Sequence, residues 1–137
     1  MKNTVKIGIC ALATAGLGAG AVAMASGEGT PTREQVRAES LLEGKVAGEP
    51  QQCIQLRRIR HTTVVDESTV LYRVNSRELY RASFDVPCGG LDNDTTLITD
   101  TNSTQLCTGD QVRVVENPTG RDLSTCAISS FTPFSAP

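Results

Sequence analysis

The densest group of chemically capable side chains in this sequence is Arg57, Arg58, Arg60 and His61. Two guanidiniums on one face of a strand can hold a carboxylate or phosphate through paired N–H donors, which would suit an anionic glycan, a phosphate or an acidic protein surface. If the segment is a strand, Arg58 and Arg60 share one face and Arg57 takes the other. Acids such as Glu78 or Asp85 are available to neutralise them across a sheet, which would leave only a solvated face. From Cys53 to the C-terminus the chain has eight Arg and no Lys, a usage that suits bidentate recognition.

His61 is the one histidine, so any imidazole base or metal ligand must be this residue. A Ser-His-Asp device can be drawn from Ser68, Ser76 or Ser83 with Asp66 or Asp85, but no G-x-S-x-G elbow presents a nucleophile. An exposed turn histidine is the expectation. Asp92, Asn93, Asp94, Thr95, Thr96 and Asp100 form an oxygen-rich loop of the kind that can bind Ca²⁺. Its spacing departs from the EF-hand: Thr96 takes an acidic or amide position, the obligatory Gly is missing and Ser103 stands where the closing Glu belongs. No metal or cofactor is expected. Paired carboxylates for glycoside hydrolysis could also come from this loop, but only Tyr72, Tyr80, Phe84, Phe131 and Phe134 are available beyond the leader to line a sugar groove. In Cys107-Thr108-Gly109-Asp110, Gly109 offers backbone freedom and Asp110 an acceptor for nearby N–H groups, which reads as a turn into a strand.

Cys53, Cys88, Cys107 and Cys126 are spaced by 35, 19 and 19 residues. Without a C-x-x-C they fit neither thioredoxin-like redox chemistry, nor haem attachment, nor a structural zinc site, and they read as two disulfides. Four cysteines permit three connectivities. The pairing expected is Cys53–Cys126, tying first strand to last, with Cys88–Cys107 joining the loops that flank the middle strand.

These residues must be positioned by short β elements. Runs of β-branched and aromatic residues predict strands near Cys53–Arg60, Thr62–Val65, Thr69–Val74, Glu78–Phe84, Thr96–Thr99, Gln111–Val115 and Thr125–Ile128. Asp66-Glu67-Ser68 and Asn75-Ser76-Arg77 are hairpin-length connections, and Asn117-Pro118-Thr119-Gly120 fits a type I turn joining the last two strands. Alternation places Val70, Tyr72 and Val74, and likewise Tyr80, Ala82, Phe84 and Val86, on one face. Leu71, Arg73, Leu79 and Arg81 fall on a mixed second face. The simplest architecture is mainly β: an antiparallel meander of six or seven short strands, curled into a small disulfide-stapled barrel or sandwich.

Ahead of this domain, residues 26–52 are a polar leader. Thr32 followed by Gln35 resembles a capping box, with Val36, Leu41 and Leu42 as a thin apolar stripe through about Glu43. A lone helix of three turns is marginal in water, so a semi-ordered linker is expected in preference to a docking helix. Residues 1–25 have the layout of a secretory signal: Lys2 and Lys6, an apolar run from Ile7 to Met24, and Ala23-Met24-Ala25 before the cut. The run is rich in Ala and Gly and carries A-x-A sites, which favours removal over a membrane anchor, and Cys10 lies too early to be a lipidation site. A periplasmic or secreted product with no remaining membrane span is expected, an environment in which disulfides persist.

The length of 137 residues allows one small domain and nearly excludes a two-domain cofactor enzyme. A formal net charge of −2, falling to about −4 without Lys2 and Lys6 of the signal segment, gives no electrostatic basis for nucleic-acid binding.

Taken together, several stretches resemble a family of small exported bacterial proteins of unknown function. These are Cys53-Ile54 leading into the Arg-rich strand, Val65-Asp66 with Thr69-Val70-Leu71-Tyr72, and Cys88 followed by Leu91. Leu106-Cys107-x-Gly109-Asp110 and Cys126-x-Ile128-x-x-Phe131 complete the set. The resemblance covers about residues 53 to 134 and implies a short exported β domain without supplying an activity. The functional expectation is therefore a non-enzymatic β module that binds an envelope protein or an anionic glycan, with Arg57, Arg58, Arg60 and His61 as its contacts. The alternatives are a small periplasmic hydrolase using His61 with a carboxylate such as Asp66 or Asp85, and a purely structural envelope protein.

Overall fold

The computed structural model describes residues 29–137, so the expected signal segment lies outside the described residues. One helix and nine strands follow in order: α1 (Arg33–Leu42), β1 (Val46–Ala47), β2 (Cys53–Gln55), β3 (His61–Asp66), β4 (Thr69–Arg73), β5 (Glu78–Phe84), β6 (Thr95–Thr99), β7 (Gln105–Cys107), β8 (Gln111–Glu116) and β9 (Asp122–Ser135). The main sheet is antiparallel and runs β3-β4-β5-β9-β8-β6, with β1 added against the end of β9. It forms a half-barrel. The small β2–β7 pair is a separate sheet.

Only β3-β4-β5 is a true meander. The chain then crosses to the far side of the sheet, lays down β6 and β8, and returns through the middle as β9, a 14-residue strand where alternation foresaw only Thr125–Ile128. Its first half pairs with β8 (Val112↔Cys126) and its second half with β5 (Ala82↔Phe131). Register shifts beside Phe84 and Val115 accompany this change of partner, and such bulges bend a strand and increase its twist. The β8–β9 hairpin forms as expected, with a wider corner than a type I turn. Gly120 N–H bonds the carbonyl of Glu116 at 2.9 Å, and Gly120 sits at φ +75, a conformation that glycine adopts without steric cost.

The inner face of the sheet carries the larger core, with Val70, Tyr72, Ala82, Phe84, Val112, Val114, Ile128 and Phe131 all buried. Val86 departs from the alternation: it lies past the end of β5 and is 60% exposed. On the outer face, Leu71 and Leu79 are buried beneath Ala38, with Leu41, Leu42, Val65 and Phe134 packed around them. This is why Arg33–Leu42 form a helix rather than a linker. Thr32 Oγ1 accepts from Gln35 N–H and Gln35 Oε1 accepts from Thr32 N–H, closing the capping box, while burial of Ala38 supplies the tertiary support an isolated helix lacks. Val36, read as part of the apolar stripe, instead faces outward at 49% exposure.

The disulfides are Cys53–Cys107 and Cys88–Cys126, which corrects the expected pairing. The reason is topological. Cys53 and Cys107 stand directly opposite each other in β2 and β7, with Cα atoms 4.0 Å apart, and β7 went unrecognised because it is only three residues long. Cys126 rides on the part of β9 that turns back into the sheet centre, where the loop after β5 brings Cys88 to a Cα distance of 5.7 Å. Among the described residues no helix is long and apolar enough to cross a membrane.

Candidate functional site

The arginine segment is not a strand beyond Gln55. Leu56–Arg58 form a single 3-10 turn in which Ile59 N–H bonds the carbonyl of Leu56 at 3.1 Å, and Leu56 N–H bonds Thr104 O at 3.0 Å. The turn replaces the two-residue period with one nearer three, so the expected pairing of Arg58 with Arg60 on one strand face does not occur. Leu56 and Ile59 pack against the inner core instead, and Arg57, Arg58, Arg60 and His61 are all exposed.

Arg58 is neutralised. Its guanidinium lies 2.9 Å from one Glu78 oxygen, and the other Glu78 oxygen accepts from the Tyr80 hydroxyl at 3.2 Å. Burial first, and the Glu78 charge second, push the Tyr80 hydroxyl above its usual pKa of 10. Arg57 and Arg60 have no ion pair among the described residues, whereas Arg58, Arg113 and Arg121 each have one or more.

His61 begins β3 opposite Arg73 and has no hydrogen-bond partner for its ring among the described residues. Asp66 lies five residues further along the same strand, roughly 16 Å away at a rise of about 3.3 Å per residue. Asp85 lies beyond the far end of β5, roughly 20 Å from His61 by the same measure. Asp66 instead holds the β3–β4 turn by accepting from Ser68 N–H at 2.8 Å. The structure therefore does not bring His61 together with either Asp66 or Asp85.

The acidic loop is also consumed by structure. Asp92 accepts from Asp94 N–H, Asp100 pairs with Arg113, and Asn93 grips β3, its amide accepting from Val64 N–H and donating to Val64 O, both at 3.0 Å. Asn93 thereby does for one register position what a neighbouring strand would do along a whole edge. Among the described residues no three His, Cys, Asp or Glu side chains are gathered as a metal site requires. Asp110 accepts from Cys107 N–H at 2.7 Å while Gly109 adopts φ +89, so this loop is the turn its sequence suggested.

Alternation and composition left one feature unread. β3 and β6 are the two edges of the half-barrel and do not pair with each other. Between them opens a pocket of about 230 Å³ walled by Leu56, Ile59, Leu97 and Leu106, with Thr62 and Thr99 at its polar margin and Tyr72 from β4. Tyr72 is 5% exposed, and its hydroxyl oxygen is buried with no hydrogen-bond partner. Burial pushes this hydroxyl up to about 12, so it stays protonated and able to donate. A sequence signal existed: a tyrosine at an inward strand position between Val70 and Val74 must find a partner for its O–H or leave it orphaned.

A family model described as a family of unknown function (DUF6491) matches residues 5–136. The chain belongs to this family. The match agrees with the resemblance as far as a family of unknown function, and it extends beyond the four-cysteine region through the helix at Arg33–Leu42. No curated protein and no solved structure matches the chain.

Proposed function

We propose that this protein is an exported, non-enzymatic β module that binds an envelope protein or an anionic envelope component through Arg57 and Arg60, with His61 beside them. The observation that carries the reading is the contrast within one short segment: Arg58 is neutralised by Glu78, while Arg57 and Arg60 stand exposed without an ion pair among the described residues. Leu56 and Ile59, packed on the core, fix the backbone that presents them. Guanidiniums suit carboxylate and phosphate groups, because two N–H donors of the planar fork can engage two oxygens at once. Export is supported by the signal-like layout of residues 1–25 and by the two disulfides, which persist in oxidising compartments.

The test uses the chain from Ser26 as immobilised bait in an envelope extract of its own cell, beside a control carrying Arg57→Glu and Arg60→Glu. Capture of one species by the wild type alone supports the reading and locates its surface. Equal capture by both baits removes the arginines from it, and no capture by either favours a purely structural role.

A further inference from the structure

The pocket between β3 and β6 contains no charged side chain, whereas the arginines that flank it in sequence all face solvent. Its lining is shared between four aliphatic side chains and the polar margin of Thr62 and Thr99, so it would reject an ion and accept a neutral guest that has both an apolar body and a polar group. Size permits this: apolar cavities of about 150 Å³ admit benzene, and this pocket has about 230 Å³. It lies where the half-barrel is left unclosed, so a guest has a route in that needs no strand to separate.

Tyr72 specifies the polar part of such a guest. Its cross-strand neighbour Tyr80 shows how this sheet satisfies a tyrosine, by placing the Glu78 carboxylate within reach of the hydroxyl. Tyr72 receives no such partner, although it is the more deeply buried of the two. A buried donor left unpaired is costly, and an acceptor delivered by a ligand recovers that cost as affinity. We propose that the pocket walled by Leu56, Ile59, Leu97 and Leu106 binds a small neutral, mostly apolar molecule bearing a carbonyl oxygen, to which the Tyr72 hydroxyl donates. The site is independent of the arginine surface, since a neutral guest has no use for Arg57 or Arg60.

A matched pair of probes tests this: acetophenone, and α-methylstyrene, in which a methylene replaces the carbonyl oxygen. Each is titrated into disulfide-intact protein with labelled Leu and Ile methyl groups, followed by NMR. The expected result is saturable shifts at Leu56, Ile59, Leu97 and Leu106, with acetophenone bound roughly tenfold more tightly. In Tyr72→Phe the preference should vanish while α-methylstyrene binding persists, which also reports that the variant is folded. Equal affinities in the wild type overturn the proposal, as does a preference that survives in Tyr72→Phe. An absence of saturable shifts at these methyls overturns it too. The Arg57→Glu and Arg60→Glu protein should bind both probes as the wild type does, so loss of the arginine reading and loss of this one are read separately.

Discussion

Leu71 and Tyr72 are consecutive residues of β4 that point to opposite sides of the sheet, and the two sides are finished differently. Leu71 lies under α1, sealed by Ala38 and joined by Leu79, Val65 and Phe134 in a small apolar layer with no polar atom to satisfy. Arg81 covers its margin by stacking over the Phe134 ring at 5.2 Å. Tyr72 faces a much larger core, yet it ends in a hydroxyl that no protein group meets, beside a pocket that no element covers. The small layer is closed and the large one is not. A face made only for stability is expected to look like the first, and unsatisfied polarity next to empty volume on an otherwise well-packed face is the mark of a place kept for something else.

Truncation should break this contrast most sharply on the closed side. Leu71→Ala removes a fully buried side chain that α1 and the sheet cannot both move to refill, so destabilisation of about 3 kcal/mol is expected, measured by denaturant unfolding with disulfides intact. Tyr72→Phe on the open side removes only an unpaired oxygen and should be neutral or stabilising. A Tyr72→Phe protein destabilised as severely as Leu71→Ala would mean that the hydroxyl has a partner in solution, and the comparison would fail.

The next largest effect is on pH dependence. Tyr72 ionises near 10 in the unfolded chain and at about 12 when folded, so between those values the unfolded state sheds a proton that the folded state keeps. Its contribution is fully present below about pH 9 and is lost progressively as pH rises through the range between those two values. Tyr80, also raised, adds to the same decline in every variant that retains it. The difference between wild type and Tyr72→Phe in unfolding free energy from pH 9 to 11 isolates Tyr72. Parallel curves for the two proteins would show that the hydroxyl is not shielded, and that the pocket is wet.

The closed side and the open side were also unequally legible in the sequence. Alternation assigned Val70, Tyr72, Ala82 and Phe84 to one face and Leu71 and Leu79 to the other, because a strand's period of two is written directly in its residues. The capping box was visible for the same local reason. What decides whether that helix forms is the distant pair Leu71 and Leu79, which no window around Thr32 contains. The disulfide pairing, the central course of β9 and the walls of the pocket share this property. Cys53 meets Cys107 across a three-residue strand, and Leu56 meets Leu97 and Leu106 only after the chain has crossed the sheet. Arg58 was legible as a charge and as a possible mate for Glu78, but a single 3-10 turn, signalled by nothing in the Leu56-Arg57-Arg58 sequence, removed it from the face of Arg60.

The smallest effect tests whether the closed side depends on its helix or the helix on the closed side. Thr32→Ala deletes the acceptor for Gln35 N–H and leaves the reciprocal bond from Thr32 N–H to Gln35 without its counterpart. The loss of such a cap costs about 1 kcal/mol when the helix is coupled to the rest of the domain. If α1 instead frays alone, global unfolding is unchanged, and hydrogen exchange accelerates only at amides such as Val36 and Glu43, which bond within the helix. Coupling predicts that protection also falls across β4 and β5 at Leu71 and Leu79, since these lie beneath Ala38. The outcome at Tyr72 then decides between one core and two. Loss of protection there would make the sheet a single cooperative unit, whereas retained protection would make the helix-covered layer a local addition to a half-barrel that holds its pocket without it.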